Sequence, residues 1–283
     1  MNNTVPELLY HYTDYVALEG ILKNGIIRLC RSDEMNDSEE MKYFIKKLKE
    51  CTILKLKQAN QTENIINLFE KEYEKQIKIR KKYICYLFSM TSLSDNASYW
   101  ERYGNHKKGI AIVFDSKVLK EISEEHMLSL KPVLYGDSAI SKHILIQEVI
   151  DGFQKKFPTK NKLDDLKMIY DQVLACSIHF KNSSFFNEYE YRLSSIPSWD
   201  DEHFRKLKLE VTTVATPTQI NKKVLLFNWK QNCDKKNIPY DKLINKIIIG
   251  KNSNQEDEVK LWLKNNNLEC LIECVERSTT PLQ

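Results

Sequence analysis

The apolar residues of this chain follow two spacings, and the two spacings alternate irregularly along the sequence. Segments with the apolar and aromatic composition of strands cover residues 8–12, 26–30, 82–90, 109–114, 188–194, 206–214 and 244–249. Helical spacing is found over residues 16–22, 38–82 and 139–180, and over 254–264, which leads to residues 268–275. Because strands and helices do not alternate strictly, we expect an α+β fold rather than a doubly wound parallel sheet.

The expected domain organisation is one domain over residues 1–283. No internal repeat, low-complexity stretch or Pro/Gly-rich linker divides the chain, and its length suffices for a substantial core. We expect helical insertions into this domain at about 38–82 and 139–180. The first of them contains a possible break near residues 59–61, which read Ala, Asn, Gln.

Composition excludes several common classes of site. The chain has 7 glycines, whereas average usage would supply roughly 20, and none of them form the turns of dinucleotide or P-loop sites. Zinc-hydrolase, nucleophile-elbow and cysteine-protease signatures are absent, and the seven cysteines are scattered. We therefore expect no metal. Without a basic leader or an apolar run of about 18 residues, we expect a cytoplasmic protein that does not bind membranes.

Positive charge is concentrated in the first helical insertion. Residues 41–82 contain twelve Lys or Arg and five Glu, a net charge of 12 − 5 = +7, while the whole chain carries +4. Such a block attracts the phosphates of nucleic acids. On a long lysine-rich helix, however, such a block is more often simply the solvated face.

Two candidate groups lie on predicted strands. His11 is near the end of the first strand and is followed by Tyr12 and Thr13; it could donate a hydrogen bond to a ligand hydroxyl, or be structural. Alternation along residues 188–194 would place Glu188, Glu190 and Arg192 on one face. Arg192 would keep Glu190 ionised, and such a carboxylate can stabilise an oxocarbenium ion. An exposed ladder of charges is the alternative.

A polar loop and an aromatic cluster provide further candidates. In the loop, Arg31 could pair with a diphosphate, while Asn36 and Asp37 could simply cap the helix that follows. In the cluster, aromatic side chains could stack on a planar ring beside a serine that binds a carboxamide, or could belong to the core. The cluster contains Ser89, Ser92, Tyr99, Trp100 and Tyr103.

Six of these segments, taken in order, resemble a widespread bacterial family of unassigned function, over residues 8–275. They are LYHYT, ILKNG, IIRLCRSDEMND, FSMTSLSDNASYWERYGNHKKGIAIVFD, FNEYEYRL and INKIIIG. The opening also resembles the ADP-ribosyltransferase superfamily of the His-Tyr-Glu type, in which a first-strand His precedes a helix ending in Ile-Leu-x-x-Gly. The corresponding residues here are His11, Thr13, Ile21, Leu22 and Gly25.

This resemblance implies a split-sheet core and a site for NAD, used as a substrate without a metal. Glu190, Glu188 and His11 would be the catalytic residues. Glu190 would stabilise the oxocarbenium ion, Glu188 would orient or deprotonate the acceptor, and His11 would bind the adenosine ribose. The implied cofactor-binding residues are His11, Tyr12, Thr13, Arg31, Asn36, Asp37, Ser89, Tyr99, Trp100, Tyr103 and Arg192. The aromatic ring that stacks on nicotinamide is Tyr99, Trp100 or Tyr103.

The resemblance therefore implies a mono-ADP-ribosyltransferase, a toxin or phage-defence effector that modifies RNA, DNA or protein. The basic block at 41–82 would attract a nucleic-acid acceptor, and an antitoxin protein is a possible partner. Two other functions remain open: an NAD glycohydrolase, and a nucleic-acid-binding module that has lost catalysis.

Overall fold

A computed structural model describes residues 5–34, 39–80, 82–156, 163–198, 200–216 and 219–280. These residues form a mixed architecture in which a mostly antiparallel sheet carries helices, which confirms the expected α+β class. Across these ranges, no helix is long and apolar enough to cross a membrane.

Twelve strands occur in the described residues. They are β1 (Leu8–Thr13), β2 (Ile26–Arg31), β3 (Tyr86–Thr91), β4 (Ile110–Asp115), β5 (Ser129–Pro132), β6 (Leu134–Tyr135), β7 (Phe180–Lys181), β8 (Glu190–Ser194), β9 (Glu210–Thr216), β10 (Gln219–Asn228), β11 (Ile244–Ile249) and β12 (Val275–Arg277). Ten of them form one sheet, in which the order β12-β11-β4-β1-β3-β2-β10-β9 is joined by β8 and β5. Strands β6 and β7 pair separately.

The α-helices fall into a set around the sheet and a set in the two insertions. They are α1 (Tyr15–Leu18), α2 (Glu39–Gln58), α3 (Glu63–Arg80), α4 (Ala97–Arg102), α5 (Ser116–Ser123), α6 (Asp137–Ser141), α7 (Leu145–Lys156), α8 (Leu163–Ser177), α9 (Asp201–Lys206), α10 (Trp229–Lys236), α11 (Tyr240–Leu243) and α12 (Glu256–Asn265). A π-helical turn, Glu19–Lys23, extends α1, and short 3₁₀ turns cover Ser32–Glu34, Glu124–His126, Ser183–Glu188 and Glu269–Cys274.

The sheet splits at β3. Leu87 pairs with both β2 and β8, and Thr91 pairs with both β1 and β8. Since a strand has two edges, β8 must occupy one of them, while β1 and β2 share opposite ends of the other. The backbone of Ser89 therefore lies at the point where β1 and β2 diverge.

Two apolar clusters account for most of the core. The first lies between the sheet and its surrounding helices, where Phe88, Phe114, Leu119, Trp229 and Leu263 are buried together. The second is formed by the insertions themselves. Its largest buried side chains come from α2, α3, α7, α8 and β7: Phe44, Phe69, Tyr73, Phe153, Tyr170 and Phe180. The two insertions, more than 50 residues apart in sequence, thus bury each other's apolar faces.

Several predicted boundaries agree with the structure and others are wrong. The break expected near residues 59–61 separates α2 from α3, and Asn60 there has a φ of 53°. The strand predicted over 188–194 begins only at Glu190, because the left-handed Tyr189 (φ 42°) interrupts it. Residues 268–274 form mainly a 3₁₀ turn, and β10 was not predicted.

Asp95 fixes the C-terminal segment against the loop before α4. Its carboxylate accepts hydrogen bonds from the Trp100 indole at 2.7 Å and from the backbone amides of Thr279 and Thr280 at 2.7 and 3.0 Å. Ser278 also donates its hydroxyl to this carboxylate. Partial burial raises the pKa of Asp95, but these hydrogen bonds outweigh burial and lower the pKa to about 2.

Replacing Asp95 by Asn should therefore destabilise the fold by about 2 kcal/mol at neutral pH, since an amide is a weaker acceptor than a carboxylate. The folded pKa lies below the unfolded one, so the contribution of Asp95 is complete above about pH 4 and is lost as the pH falls towards 2. Urea unfolding at several pH values measures both effects. Thr279→Val, which removes one side-chain donor, should cost less; equal stability of Asp95→Asn and the wild type would contradict the assignment.

Candidate active site at the split of the sheet

His11 bridges the split of the sheet. Its Nδ1 lies 3.0 Å from the carbonyl oxygen of Ser89, and its ring packs against Phe88 with centroids 4.2 Å apart and the ring planes tilted by 35°. Because a carbonyl only accepts, Nδ1 must carry the proton. Burial lowers the pKa of His11 to about 4, although the bond to Ser89 opposes this shift. At neutral pH the ring is therefore uncharged, and Nε2 presents a lone pair that can accept a hydrogen bond from a hydroxyl.

Ser89 contributes an unused hydroxyl at the same place. Its Oγ is buried and has no hydrogen-bond partner among the residues that the structure describes. In the sheet, Ser89 is directly opposite Arg192 of β8. A buried hydroxyl without a partner is costly, so its presence indicates a group that a ligand can satisfy.

Glu190 sits at the start of β8 within a cluster of buried charges. Its Oε1 is 2.7 Å from Nε of Arg192, and its Oε2 is 3.1 Å from Nη2 of the same guanidinium and 2.8 Å from Nζ of Lys181. Burial by itself raises the pKa of Glu190, but the charges of Arg192 and Lys181 outweigh it and lower the pKa to about 2. Glu190 is therefore ionised, as its spacing from Arg192 predicts.

Glu188 joins this cluster by a different geometry from the one predicted. It ends the 3₁₀ turn before β8 rather than sharing a strand face with Glu190. The Glu188 carbonyl accepts hydrogen bonds from Tyr99 at 2.6 Å and Thr91 at 2.8 Å, and its Oε2 lies 2.7 Å from Nζ of Lys181. One ammonium group thus bridges the two carboxylates.

The aromatic candidates differ in accessibility. Trp100, with an exposed fraction of 0%, donates its indole hydrogen to Asp95 and packs edge-on against Tyr12, so it belongs to the core and offers no free face for stacking. The exposed fraction of Tyr103 is 46%, and its ring lies 5.3 Å from that of Tyr99. Burial and, after it, the negative charge of Glu188 raise the pKa of Tyr103. The effect of this charge indicates that the side chains of Tyr103 and Glu188 are close.

The remaining candidates are spread around the site. Tyr12 is buried, and its hydroxyl donates to the carbonyl of Leu93 at 3.0 Å, while Thr13 lies half-buried at the end of β1. Arg31 forms a two-point ion pair with Asp33, at 2.9 and 2.7 Å, so its guanidinium is already bound by a carboxylate. Asn36 and Asp37 lie outside the described residues.

Three residues of the site were not singled out from the sequence. Lys181 bridges the two glutamates, and the Tyr135 hydroxyl accepts a hydrogen bond from the backbone amide of Glu190 at 2.9 Å. The Nε2 atom of His179 lies 3.1 Å from Ser194 Oγ, and its buried Nδ1 has no partner within the described chain. Burial, and then the charge of Arg192, lowers the pKa of His179 to about 3. None of the three lies in a local motif, so only tertiary structure reveals them.

Comparison with known protein families gives a match to part of the chain. Residues 99–193 match the model of a family described as a protein of unknown function, DUF2971. This segment extends from α4 to β8 and contains Tyr99, Tyr103, Glu188, Glu190 and Arg192, but not His11. Searches of curated proteins and of solved structures each found no match.

The bridging role of Lys181 predicts a large effect of its removal. Lys181→Met leaves Glu188 and Glu190 buried with one fewer cation, which should reduce the free energy of unfolding by about 3 kcal/mol at pH 7. Because the pKa of folded Glu190 is below its unfolded value, the stabilisation it gains is present above about pH 4.5 and is lost as the pH falls towards 2. Lys181→Met should therefore lose less free energy of unfolding than the wild type as the pH falls over that range.

Urea denaturation of Lys181→Met and of Lys181→Met combined with Glu188→Gln measures this effect. The second substitution removes one of the two carboxylates, so the double variant should recover part of the lost stability. If the double variant is the less stable of the two, Lys181 does not serve mainly to balance these charges.

Proposed function

We propose that this protein is an NAD-dependent mono-ADP-ribosyltransferase. The observation that carries the proposal is that an ionised Glu190, a neutral His11 and a Ser89 hydroxyl without a partner among the described residues are linked through the single strand β3. Transfer of ADP-ribose needs a fixed negative charge beside a developing sugar cation and neutral groups that hold the dinucleotide. The divergence of β1 and β2 on one edge of β3 is compatible with the split-sheet core of this superfamily.

The residues would divide the work as follows. Nε2 of His11 accepts a hydrogen bond from a hydroxyl of the adenosine ribose, and the Ser89 hydroxyl binds the nicotinamide carboxamide. Tyr103, whose ring is the exposed one, stacks on nicotinamide in place of the buried Trp100. Tyr12 and Thr13 follow His11 on β1. A diphosphate would have to compete with Asp33 for the guanidinium of Arg31.

Glu190 acts on the sugar that loses nicotinamide. The bond from C1′ to the nicotinamide nitrogen breaks, its electron pair stays on that nitrogen, and the sugar becomes an oxocarbenium ion. Glu190 binds a ribose hydroxyl and stabilises this cation, with the hydroxyl replacing Lys181 at Oε2. The acceptor then forms a bond to C1′ and gives its proton to Glu188.

A Glu190→Gln variant tests the proposal. Loss of the carboxylate charge should reduce nicotinamide release by about 10² to 10³-fold, since electrostatic stabilisation of the transition state is lost. The measurement uses NAD labelled in the nicotinamide or adenosine portion, with RNA, DNA and protein acceptors offered separately. Glu202→Gln, a change of an exposed glutamate on α9, is the matched control. Equal release by Glu190→Gln and the control would exclude the catalytic role.

Ser89→Ala provides a second variant that cannot act through misfolding. Removing a buried hydroxyl that has no partner in the described part of the chain should leave stability unchanged or raise it. If that hydroxyl binds NAD, the same change should raise the KM for NAD by roughly tenfold. Unchanged KM together with unchanged stability would remove Ser89 from the site. Nicotinamide release that no acceptor accelerates would identify an NAD glycohydrolase instead.

A non-catalytic nucleic-acid-binding module is the second candidate function. It is favoured by one observation: both oxygens of Glu190 are already held by cations, which is also what a purely structural ion cluster would show. In either function, the lysines of α2 and α3 are the surface that would attract RNA or DNA. This surface is uneven, because Lys47 pairs with Glu50 and Asp137, and Lys49 pairs with Glu74.

The nucleic-acid partner can be tested at the exposed Lys71 and Lys75 of α3. Neutralising both to Gln should weaken binding of single-stranded RNA or DNA and reduce the magnitude of the slope of log affinity against log salt by about 1.4. Fluorescence anisotropy between about 50 and 200 mM salt measures this slope. Lys117→Gln, on the exposed surface of α5, should have no effect. If Lys117→Gln weakens binding as much, the basic helices are only solvated surface.

A further inference from the structure

A second cleft lies between the two helices of the first insertion, apart from the residues of the proposed active site. It encloses about 660 Å³ between α2, α3 and the turn after β2. This volume is within the range of pockets that bind small molecules, which is roughly 300 to 1,000 Å³. Its lining differs from that of the Glu190 site, since it combines an apolar floor with a rim of lysines.

The floor is mostly apolar, and two of its polar groups, the Tyr73 hydroxyl and the Arg80 guanidinium, are already paired. Met41, Ile45, Tyr73, Ile77, Tyr83 and Leu174 form most of it. The Tyr73 hydroxyl donates to the carbonyl of Ile45 at 2.9 Å, and the buried Arg80 lies 2.7 Å from Asp171. Reading a nucleobase requires unpaired polar groups in fixed positions, whereas this floor offers surface suited to hydrocarbon.

The rim is positive. Lys42, Lys46 and Lys49 follow one another at spacings of four and three along α2, which places them on one line of the helix, and Lys78 of α3 also lines the cleft. Lys49 is bound by Glu74, and the other carboxylate at the cleft, Asp33, is bound by Arg31. Lys46 and Lys78 are exposed and form no ion pair within the described chain.

We propose that this cleft binds a single-chain fatty acid, with the hydrocarbon on the apolar floor and the carboxylate at the lysine rim. Charge complementarity selects an anion, and the apolar lining selects a molecule whose remaining surface is hydrocarbon. The inference does not depend on the proposed transferase activity, because the cleft contains neither His11, Ser89 nor Glu190.

Isothermal titration with dodecanoate, below the concentration at which it forms micelles, tests the proposal. One molecule should bind per chain. Decanoate should bind roughly 16-fold more weakly, because each buried methylene contributes about fourfold in affinity. Dodecanol, which has the same chain without the charge, should also bind more weakly. Affinity that does not change with chain length, or binding of many molecules per chain, would overturn the proposal.

Two sets of variants locate the site. Combining Lys46→Gln with Lys78→Gln should weaken dodecanoate binding by about tenfold or more, since the two rim lysines that form no ion pair within the described chain lose their charge. Lys57→Gln, an exposed lysine on the same helix that does not line the cleft, should change affinity less than about twofold. Equal weakening by Lys57→Gln would show that the attraction is not local to the cleft and would refute the assignment.

Two further measurements distinguish the fatty-acid proposal from the transferase proposal and from binding to a membrane surface. Glu190→Gln should bind dodecanoate like the wild type, so failure of the transferase proposal would leave this one intact. Vesicles of phosphatidylglycerol and phosphatidylcholine test whether the lysines instead contact a membrane surface. Vesicle binding that depends on Lys46 and Lys78, without binding of monomeric dodecanoate, would overturn the fatty-acid site.

Discussion

The buried charge cluster around Lys181 is the interaction on which the arrangement of the site depends. Lys181 contacts Glu188 and Glu190, and Arg192 holds Glu190 at two points. Two carboxylates and two cations sum to zero charge, so the cluster can be buried provided that each hydrogen-bonding direction is used. Arg192 also donates to the carbonyl of Ile178, which ties the sheet to the end of α8. Sheet and helical insertion are therefore joined through ionic contacts as well as apolar packing.

Hydroxyl groups fix the turn that brings both glutamates to one lysine. Tyr99 and Thr91 donate to the Glu188 carbonyl, and Tyr135 accepts from the Glu190 amide. Tyr189, between the two glutamates, is in the left-handed region, so the extended path of β8 does not continue back to Glu188. The two carboxylates thereby approach the same ammonium from different elements, the 3₁₀ turn and β8, rather than from one face of a single strand.

The insertions give the protein a second core and a second chemical surface. Residues 39–80 leave the sheet between β2 and β3, the strands that meet beside Ser89, and pack against α7 and α8. This packing buries most of the apolar side chains of α2 and α3, and the two helices also form the cleft with its lysine rim. Positive charge on these helices is thus divided between ion pairs, the cleft and exposed surface, which a charge count alone treats as one block.

The sequence by itself determined the α+β class, the helix break near Asn60 and the pairing of Arg192 with Glu190, because each depends on residues close together in the chain. Tertiary structure alone decided that Lys181 and Tyr135 join Glu190, that β10 completes the sheet, and that Trp100 is buried on Asp95. Periodicity shows which face of an element is apolar, but not which distant element covers it. Trp100 illustrates the difference: its spacing from Tyr103 fits either a ligand-stacking surface or a core, and only the partner across the fold distinguishes them.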